Sequence, residues 1–366
     1  MALFMDIHII PGIKAKDVAE AHQKDILLQE QHQCKCMTYW IDEERNNVFC
    51  LIEAPDKESV AALHQHSHGL VPHKVIEVNP ELVESFLGRL HDPVNAPTSD
   101  DGLKVFHDPS YRIILYITTS DPALLRHQLG TEKATGLLNS CTGVIRQNLA
   151  TFEGREVEHP GSGFIASFTA ASRAVSCALS ILKAAAEPAM QAAGLKIGIN
   201  AGEPVSSANN LFGETIQFAR YLCFISCATR IAISSAVKEL AAKDHFQKPA
   251  NNIICLAPPD EMLLELLFSK LEEHWQNPGF TISEFCQAMA MSQSQLYRKT
   301  VELTGMSPNI FLKEYRLEKA KELLTQQRYS ISQITFDAGF TSPSYFTKCF
   351  KKNYGLLPMD YLELLR

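Results

Sequence analysis

The sequence predicts a multidomain protein in which two α+β domains are followed by an all-α domain built from two helix-turn-helix units. Three observations favour this fold class: a βαββαβ order of patterns at the start, short apolar runs between helical stretches in the middle, and a duplicated helical segment near the end. A chain of 366 residues is too long for one ordinary core. Proline-containing turns at HDPVNAPTSDDG and CLAPPDE favour domains at residues 1–88, 105–257 and 260–366.

The composition is that of a globular protein of the cell interior. Hydrophobic residues make up 46% of the chain and charged residues 20%, and the sequence contains no apolar run long enough to span a bilayer. Asp6 and His8 interrupt the stretch where a secretory signal would need an apolar core. The ten cysteines are scattered and form no CxxC pair, so we expect reduced, mostly buried thiols and a cytoplasmic location.

The first domain combines a ferredoxin-like order of elements with many histidines. Strand-like MDIHII, CMTYWI, NVFCLIEA and HKVIEV alternate with helix-like KDVAEAHQKDILLQE and DKESVAALHQHSHG. Seven of the thirteen histidines fall in the first 73 residues: His8, His22, His32, His64, His66, His68 and His73. His64 and His68 are four residues apart, a spacing with which one helical face can offer two nitrogens to a metal.

This domain resembles, over its full length, a family of small ferredoxin-like proteins formerly of unknown function, some of which bind nickel. The residues concerned are MDIHIIPG, DVAEAHQKD, TYWIDEERNNVFCLIEAPDKESV and LHQHSHGL. The resemblance implies that His8, His22, His64 and His68 bind Ni²⁺ or another divalent transition metal, since imidazole suits Ni²⁺, Zn²⁺ and Cu²⁺ alike. The alternative is that these histidines lie at the surface or are satisfied in the core. Cys36 and Cys50 are expected to be buried thiols and not ligands.

The middle domain is predicted to be α+β with a central sheet. The apolar runs RIILYITT, GFIASF, LKIGINAGEP and RIAISS alternate with helical stretches such as SRAVSCALSILKAAAE. The order of these elements resembles that of the catalytic domain of class III nucleotidyl cyclases. The residues that carry the resemblance are GSGFIASFTAASRAVSCALSI, GLKIGINAGEPV and LFGETIQFARYLCFISCATRIAISSAVKEL. The resemblance covers most of residues 110–240.

The positions that carry catalysis in those cyclases hold other residues here. By position, the first metal-binding aspartate falls near Thr118 and the second at Ser162, the asparagine at Gln217 and the arginine at Tyr221. A hydroxyl is a poor Mg²⁺ ligand beside a carboxylate, and Asp121 and Glu158, which lie nearby, are out of register. We therefore expect no enzyme activity. The resemblance implies a degenerate domain retained to pair two chains in a homodimer, since cyclase domains of this class work as dimers.

The C-terminal region contains one helix-turn-helix unit twice. Residues 281–312 and 330–362 match at a shift of 49–50 residues. Start signals recur in both copies: Thr281-x-x-Glu284 and Ser330-x-x-Gln333 at the first helices, Ser292-x-x-Gln295 and Ser342-Pro343 at the second. A long helix over PNIFLKEYRLEKAKELLTQQ would join them rigidly, with second helices able to enter successive major grooves about 34 Å apart.

Charge favours contact between this region and phosphate. The whole chain carries a formal charge of −7, but residues 298–352 hold ten basic and five acidic side chains. In SPSYFTKCFKKNYG, Phe346 and Phe350 fall on one helical face and should be buried. Lys348, Lys351 and Lys352 then face solvent. The alternative is a helical bundle with an ordinary solvated charged surface.

The last 100 or so residues resemble the DNA-binding domain of the AraC/XylS family of bacterial transcription regulators, through ISQITFDAGFTSPSYFTKCFKKNYGLLPMDYL. Carried over by position, the groove-facing residues are Ser294, Tyr297 and Arg298 of the first unit and Ser344, Thr347 and Lys348 of the second. Arg298 would contact a guanine edge, while Lys351 and Lys352 would hold the phosphate backbone.

These observations predict a transcription regulator that binds duplex DNA and responds to a metal ion or small ligand. RNA polymerase is a further expected partner. Two alternatives stay open: a nucleotide cyclase of class III type, and a nickel-binding or buffering protein with an appended DNA-binding domain.

Overall fold

The computed structural model describes residues 1–99, 102–157, 163–205, 210–241 and 252–365. The first region has the predicted order of strands and helices: β1 Ala2–Ile9, α1 Ala15–Leu28, β2 Lys35–Asp42, β3 Asn47–Ala54, α2 Lys57–Ser67 and β4 Lys74–Glu77. The four strands form one sheet in the order β2-β3-β1-β4, with antiparallel pairing throughout.

A third helix, α3 Pro80–Leu87, follows β4 and was not expected from the sequence. Its signals are local: the Asn79 side chain accepts hydrogen bonds from the first amides, Pro80 occupies the first turn, and Gly88 ends the helix in a left-handed conformation.

Strand β1 divides its side chains between two cores because successive residues point to opposite faces of a sheet. Phe4 packs towards α1 and α2, together with Val18 and Leu63. Leu3, Met5 and Ile7 point the other way and join a core shared with the middle region. Asp6 and His8, which lie on the face of Phe4, are therefore buried beneath the helices.

The middle region is also α+β. Its elements are β5 Arg112–Thr118, α4 Pro122–Leu129, α5 Thr131–Thr151, β6 Arg155–Val157, β7 Phe164–Phe168, α6 Ala171–Ala185, β8 Lys196–Gly202, α7 Gly213–Ile225, β9 Ile231–Ile233, α8 Ser235–Leu240 and β10 Ile253–Cys255. The sheet order is β10-β9-β8-β5-β7-β6. β5 runs antiparallel to β7 and β8, whereas β9 runs parallel to β8 and β10.

The two sheets share one core. On β5, Ile113 and Leu115 pack against α5 and α6, while Ile114 and Tyr116 face the first region. There they pack with Met5 and with residues of α3 and α7. The buried Arg112 adds a polar tie, since its Nε donates to the carbonyl oxygen of Phe86 at 3.0 Å.

The stretch between the two sheets packs onto the first region. Phe106 is buried and stacks on Tyr39, with ring centroids 4.2 Å apart. The guanidinium of Arg89 lies over the Trp40 ring at 4.5 Å. Ala96, from the stretch predicted as turn and linker, and Phe106, assigned from the sequence to the middle domain, thus pack in the core of the first α+β region.

The C-terminal region is all helical. It consists of α9 Pro258–His274, α10 Ile282–Ala288, α11 Gln293–Thr304, α12 Pro308–Thr325, α13 Ile331–Asp337, α14 Pro343–Tyr354 and α15 Pro358–Leu364. The long helix α12 belongs to both units: Phe311 and Tyr315 enter the core of the first, Leu317 and Leu324 that of the second. The predicted fold class, α+β regions followed by an all-α region, is confirmed.

All ten cysteines are free thiols, and none is fully exposed. Among the described residues, no helix combines the length and the apolar character needed to cross a membrane.

Candidate metal centre and nucleic-acid interface

A buried cluster of imidazoles and carboxylates lies between β1 and the helices α1 and α2. β1 contributes Asp6 and His8, α2 contributes His64, and α1 contributes Asp25. His68 follows directly at the end of α2. β1 lies between β3 and β4 in the sheet, so Asp6 and His8 stand on an interior strand.

His64 is the centre of this cluster. Its Nε2 lies 2.9 Å from Asp6 Oδ2, and its Nδ1 lies 3.0 Å from His68 Nε2 and 3.3 Å from Asp25 Oδ2. His68 Nε2 is also 3.3 Å from Asp25 Oδ1. The His8 ring meets the His64 ring edge-on, with centroids 4.7 Å apart.

The cluster contains two sets of possible metal ligands. Asp6, His8, Cys50 and His64 each offer an atom within 4.8 Å of the others, and so do Asp25, His64 and His68. The structure thus brings together three of the four histidines named from the sequence. His22 lies apart on α1, with its Nε2 3.4 Å from Asp92 Oδ2 and its ring against Tyr39.

Burial and opposite charges shift the pKa values in opposite directions. Burial alone would lower the pKa of His64, but Asp6 and Asp25 overcome this and raise it to about 10. Burial alone would raise the pKa of Asp6 and Asp25, but the neighbouring histidines hold both well below the ordinary value. Without a metal, the cluster therefore holds a charged imidazolium between two carboxylates.

The residues fit a transition metal. His8 Nε2 is buried, and within the described part of the chain it makes no hydrogen bond, although Asp6 Oδ1 lies 3.3 Å away. Buried polar atoms are normally satisfied, and a metal ion would satisfy this nitrogen; His22 Nε2 is also buried without a hydrogen bond to any described residue but belongs to neither ligand set. Nitrogen and carboxylate oxygen are ligands that Ni²⁺ and Zn²⁺ accept. Cys50 adds a sulfur, whose pKa is raised by burial and by Asp6.

The sequence indicated neither Asp6 nor Asp25 as a member of the cluster, and it predicted Cys50 to be a buried thiol and not a ligand. Asp6 gives a usable signal, since it stands two residues before His8 and must share its face of the strand. Asp25 and Cys50 come from other elements, and only the packing of α1 and β3 brings them near His64.

The positions of the cyclase catalytic groups are used for other contacts. Thr118 Oγ1 lies 3.3 Å from Cys223 Sγ. Gln217 and Tyr221, on α7, both bind Glu272 of α9, with the Tyr221 hydroxyl donating at 2.9 Å. Ser162 and Glu158 lie outside the described residues.

Asp121 is likewise engaged. Its Oδ1 accepts from the amides of Ala123 and Leu124 at the start of α4, and its Oδ2 accepts from the Tyr361 hydroxyl at 2.8 Å. A carboxylate with these partners is not free to replace a missing metal ligand of a cyclase.

All four helix starts named from the sequence form caps in the helical region. Capping boxes begin α10 at Thr281, α11 at Ser292 and α13 at Ser330, while Ser342 accepts from the Tyr345 amide at the start of α14. Such caps satisfy amides that a helix cannot pair internally. The two second helices, α11 and α14, are therefore well defined from their first turn.

Both second helices bury one face and expose the other. Leu296 anchors α11, while Phe346 and Phe350 anchor α14, each fully buried. Seven of the eight side chains named for DNA contact are exposed, and Thr347 is half-buried: Ser294, Tyr297, Arg298, Ser344, Thr347, Lys348, Lys351 and Lys352. The exposed face of α14 is rich in lysine, which suits the phosphate backbone of a duplex.

Two family models match this chain. Residues 285–363 match a family described as helix-turn-helix domain. Residues 4–78 match a family described as nickel responsive protein SCO4226-like. The two matches correspond to the regions that hold the exposed second helices and the histidine cluster.

Known proteins are similar to parts of the chain. Histidine kinase P4 of Formosa agariphila is 37% identical over 108 residues, 30% of this chain and 8% of the kinase. The HTH-type transcriptional activator RhaR of Escherichia coli K12 is 31% identical over 109 residues, 29% of this chain and 38% of RhaR. The solved structure of SCO4226 from Streptomyces coelicolor A3(2) is 29% identical and covers 21% of this chain and 95% of that one, with a TM-score of 0.20. The chain spans less than half of either curated relative.

Proposed function

We propose that this protein is an AraC-type DNA-binding transcription regulator that responds to a metal ion, because residues 285–363 match the helix-turn-helix family and residues 4–78 match the nickel responsive SCO4226-like family. The observation that carries the proposal is the pair of capped second helices, each anchored by buried apolar side chains and exposed on the opposite face. In this proposal the sensing unit is residues 1–88, the connecting unit is residues 105–257 and the DNA-binding unit is residues 260–366. The protein would act in the cytoplasm.

On DNA, the two helices have separate tasks. Arg298 on α11 and Lys348 on α14 would contact base edges, together with Ser294, Tyr297, Ser344 and Thr347. Lys351 and Lys352 would contact phosphate, which raises affinity for every sequence. A homodimer on paired sites and contact with RNA polymerase belong to the same proposal.

The test is selection of bound duplexes from a random pool by the full-length protein, with and without Ni²⁺. We expect enrichment of two short motifs spaced by about one helical turn, roughly 10 base pairs, because the single helix α12 joins the two units. No attraction to any duplex in dilute salt would overturn the proposal, since phosphate contacts are strongest there.

The metal input is proposed to be Ni²⁺ or a related divalent ion in the histidine cluster. Asp6, His8 and His64, with Asp25, His68 and Cys50 around them, would hold it; His22, predicted from the sequence, lies beside Asp92 and is left as a separate histidine. A bound cation would supply positive charge between the two carboxylates in place of the His64 proton. The residues of β1, α1 and α2 would then be tied to one another through the ion.

Calorimetric titration of the full-length protein with NiCl₂ tests this input. His8→Gln and His68→Gln each remove a nitrogen from one of the two ligand sets, and at least one of them should weaken Ni²⁺ binding about tenfold or more. His66→Gln is the matched control: His66 is exposed on the same helix and contacts His32, outside the cluster. Wild-type Ni²⁺ affinity in both His8→Gln and His68→Gln would remove the site.

A nucleotide cyclase is the competing class of function. We propose that the middle unit is not catalytic, supported by the engagement of Gln217 and Tyr221 with Glu272. Incubation with ATP or GTP and Mn²⁺ should give no cyclic nucleotide, and its appearance would contradict the proposal.

A further inference from the structure

The middle unit contacts both halves of the helix-turn-helix region through polar side chains. At the first half, Glu272 of α9 accepts from Tyr221 at 2.9 Å and from Gln217 at 3.1 Å. At the second half, Asp121 accepts from Tyr361 of α15 at 2.8 Å, and Lys321 of α12 lies 3.5 Å from the same oxygen. Two separate sets of polar contacts thus connect the middle unit to both halves of the helix-turn-helix region.

Apolar packing accompanies each set of polar contacts. The Tyr221 ring stacks on Phe268 of α9, with centroids 4.0 Å apart. Ala123, at the start of α4, is part of the buried core of the second half, together with Phe350 and Tyr361. Between the two, Arg220 of α7 pairs with Glu322 of α12 at 3.0 Å. The contact therefore runs along the connecting helix from one half to the other.

These contacts leave the proposed DNA-facing side chains uncovered. Arg298 and Tyr297 on α11, and Lys348 and Lys351 on α14, are exposed while the contacts are made. The contacts with the middle unit therefore leave these side chains accessible.

We propose that the middle unit is a splint for the reader: it holds α9 through Tyr221 and α15 through Asp121, and so fixes the orientation of the two second helices relative to each other. The proposal rests on the proposed function, because the orientation matters only for a protein that reads two grooves at once. A reader held in the right geometry loses less freedom on binding, so a duplex with both motifs is bound more tightly.

The test compares Tyr361→Phe with Tyr354→Phe in the full-length protein. Both variants lose one hydroxyl that donates to a carboxylate at 2.8 Å, but the Tyr354 partner is Glu318, inside the helical region, whereas the Tyr361 partner is Asp121 of the middle unit. Amide hydrogen exchange without DNA should become about tenfold faster at the start of α4 in Tyr361→Phe only, since a hydrogen bond to a charged group is lost across the contact.

Affinity gives the second readout, on duplexes chosen by the wild-type selection. Tyr361→Phe should bind a duplex with both motifs several-fold more weakly and a duplex with one motif unchanged, because one motif needs no fixed orientation. A second matched pair, Glu272→Ala and Glu273→Ala, makes the same comparison at the first half; Glu273 pairs only with Lys270 and His274 of its own helix in the described contacts.

The outcomes separate the two proposals. If the wild-type protein binds no duplex, the proposed function fails, and the middle unit then has no role in DNA binding. Faster amide exchange at the start of α4 in Tyr361→Phe would still establish the contact between Tyr361 and Asp121. If wild type binds but Tyr361→Phe matches Tyr354→Phe in exchange and affinity, the splint is wrong and the proposed function stands.

Discussion

At the scale of single residues, function depends on which face of an element a side chain occupies. Asp6 and His8 share one face of β1 and join the histidine cluster, whereas Met5 and Ile7 point into the core shared with the middle region. The same rule operates on α14, where Phe346 and Phe350 are buried and Lys348 is exposed. The position of a residue in the periodic pattern thus decides whether its side chain lies in a candidate functional site or in the apolar core.

Arg298 and Lys352 allow this view to be tested on DNA. We expect Arg298→Ala to relax preference at one base position, losing about 1–3 kcal/mol of discrimination, because a guanidinium can bind a guanine edge through two hydrogen bonds. Lys352→Ala should weaken all sequences alike and lower the salt dependence of binding. Selection from a random duplex pool measures both; an unchanged base preference for Arg298→Ala would contradict the assignment.

At the scale of elements, the turn between the two helices of the second helix-turn-helix unit packs directly against the end of α9 in the first unit. Gly339 lies in the turn between α13 and α14 with φ of +75°, and a Cβ there would overlap the carbonyl oxygen of Trp275 at the end of α9. Arg316 of α12 donates to that same carbonyl at 2.9 Å. The turn, the connecting helix and the first unit therefore meet at one point.

Gly355 supplies the matched comparison for Gly339. Both glycines have positive φ, but an added Cβ at Gly355 meets nothing within 4 Å. Gly355→Ala should cost only the backbone penalty of about 1–2 kcal/mol. Gly339→Ala should cost more, because the Trp275 carbonyl or Arg316 must move. Thermal unfolding of both variants measures the difference, and equal melting temperatures would show that the turn accommodates the methyl group freely.

At the scale of the whole molecule, two sheets of one chain cover each other. The sequence predicted that the middle domain pairs two chains, but the face that carries Ile114 and Tyr116 packs against the sheet of the first region. A homodimer that used this face would first have to displace β1 and α3. The proposed dimer therefore needs another surface. The histidine cluster lies on the opposite face of β1 from the core that the two sheets share.

Phe86→Ala tests this shared core. Phe86 on α3 is buried and packs on Phe212, with ring centroids 4.8 Å apart, at the junction of the two regions. The truncation should destabilise the protein by about 3–5 kcal/mol through the cavity that it leaves. Hydrogen exchange should increase in both β1 and β5. Leu27→Ala, at an exposed position of α1, is the control. Faster exchange in β1 alone would mean that the two sheets unfold independently.

Local signals in the sequence predicted much of the fold and part of the candidate site. Caps at Ser292 and Ser330, the apolar period of α12 and the alternation of β1 are properties of short segments, and the structure contains each of them. Helix α3 was missed because its eight residues follow a strand so closely, although Asn79 and Pro80 mark its start. In the histidine cluster, Asp25 and Cys50 lie on elements that no local sequence pattern connects to His64.

The sequence by itself determined the order of the elements, the duplicated unit and which side chains of α11 and α14 face outward, because each depends on periodicity within a few turns. Only the tertiary structure decided that Asp25 and Cys50 meet the histidines, that Asp121 serves the helical region, and that one sheet covers the other. Those facts depend on how separate elements pack. Burial of apolar faces drives that packing but is not directional, so a pattern states that a face is buried without stating what covers it.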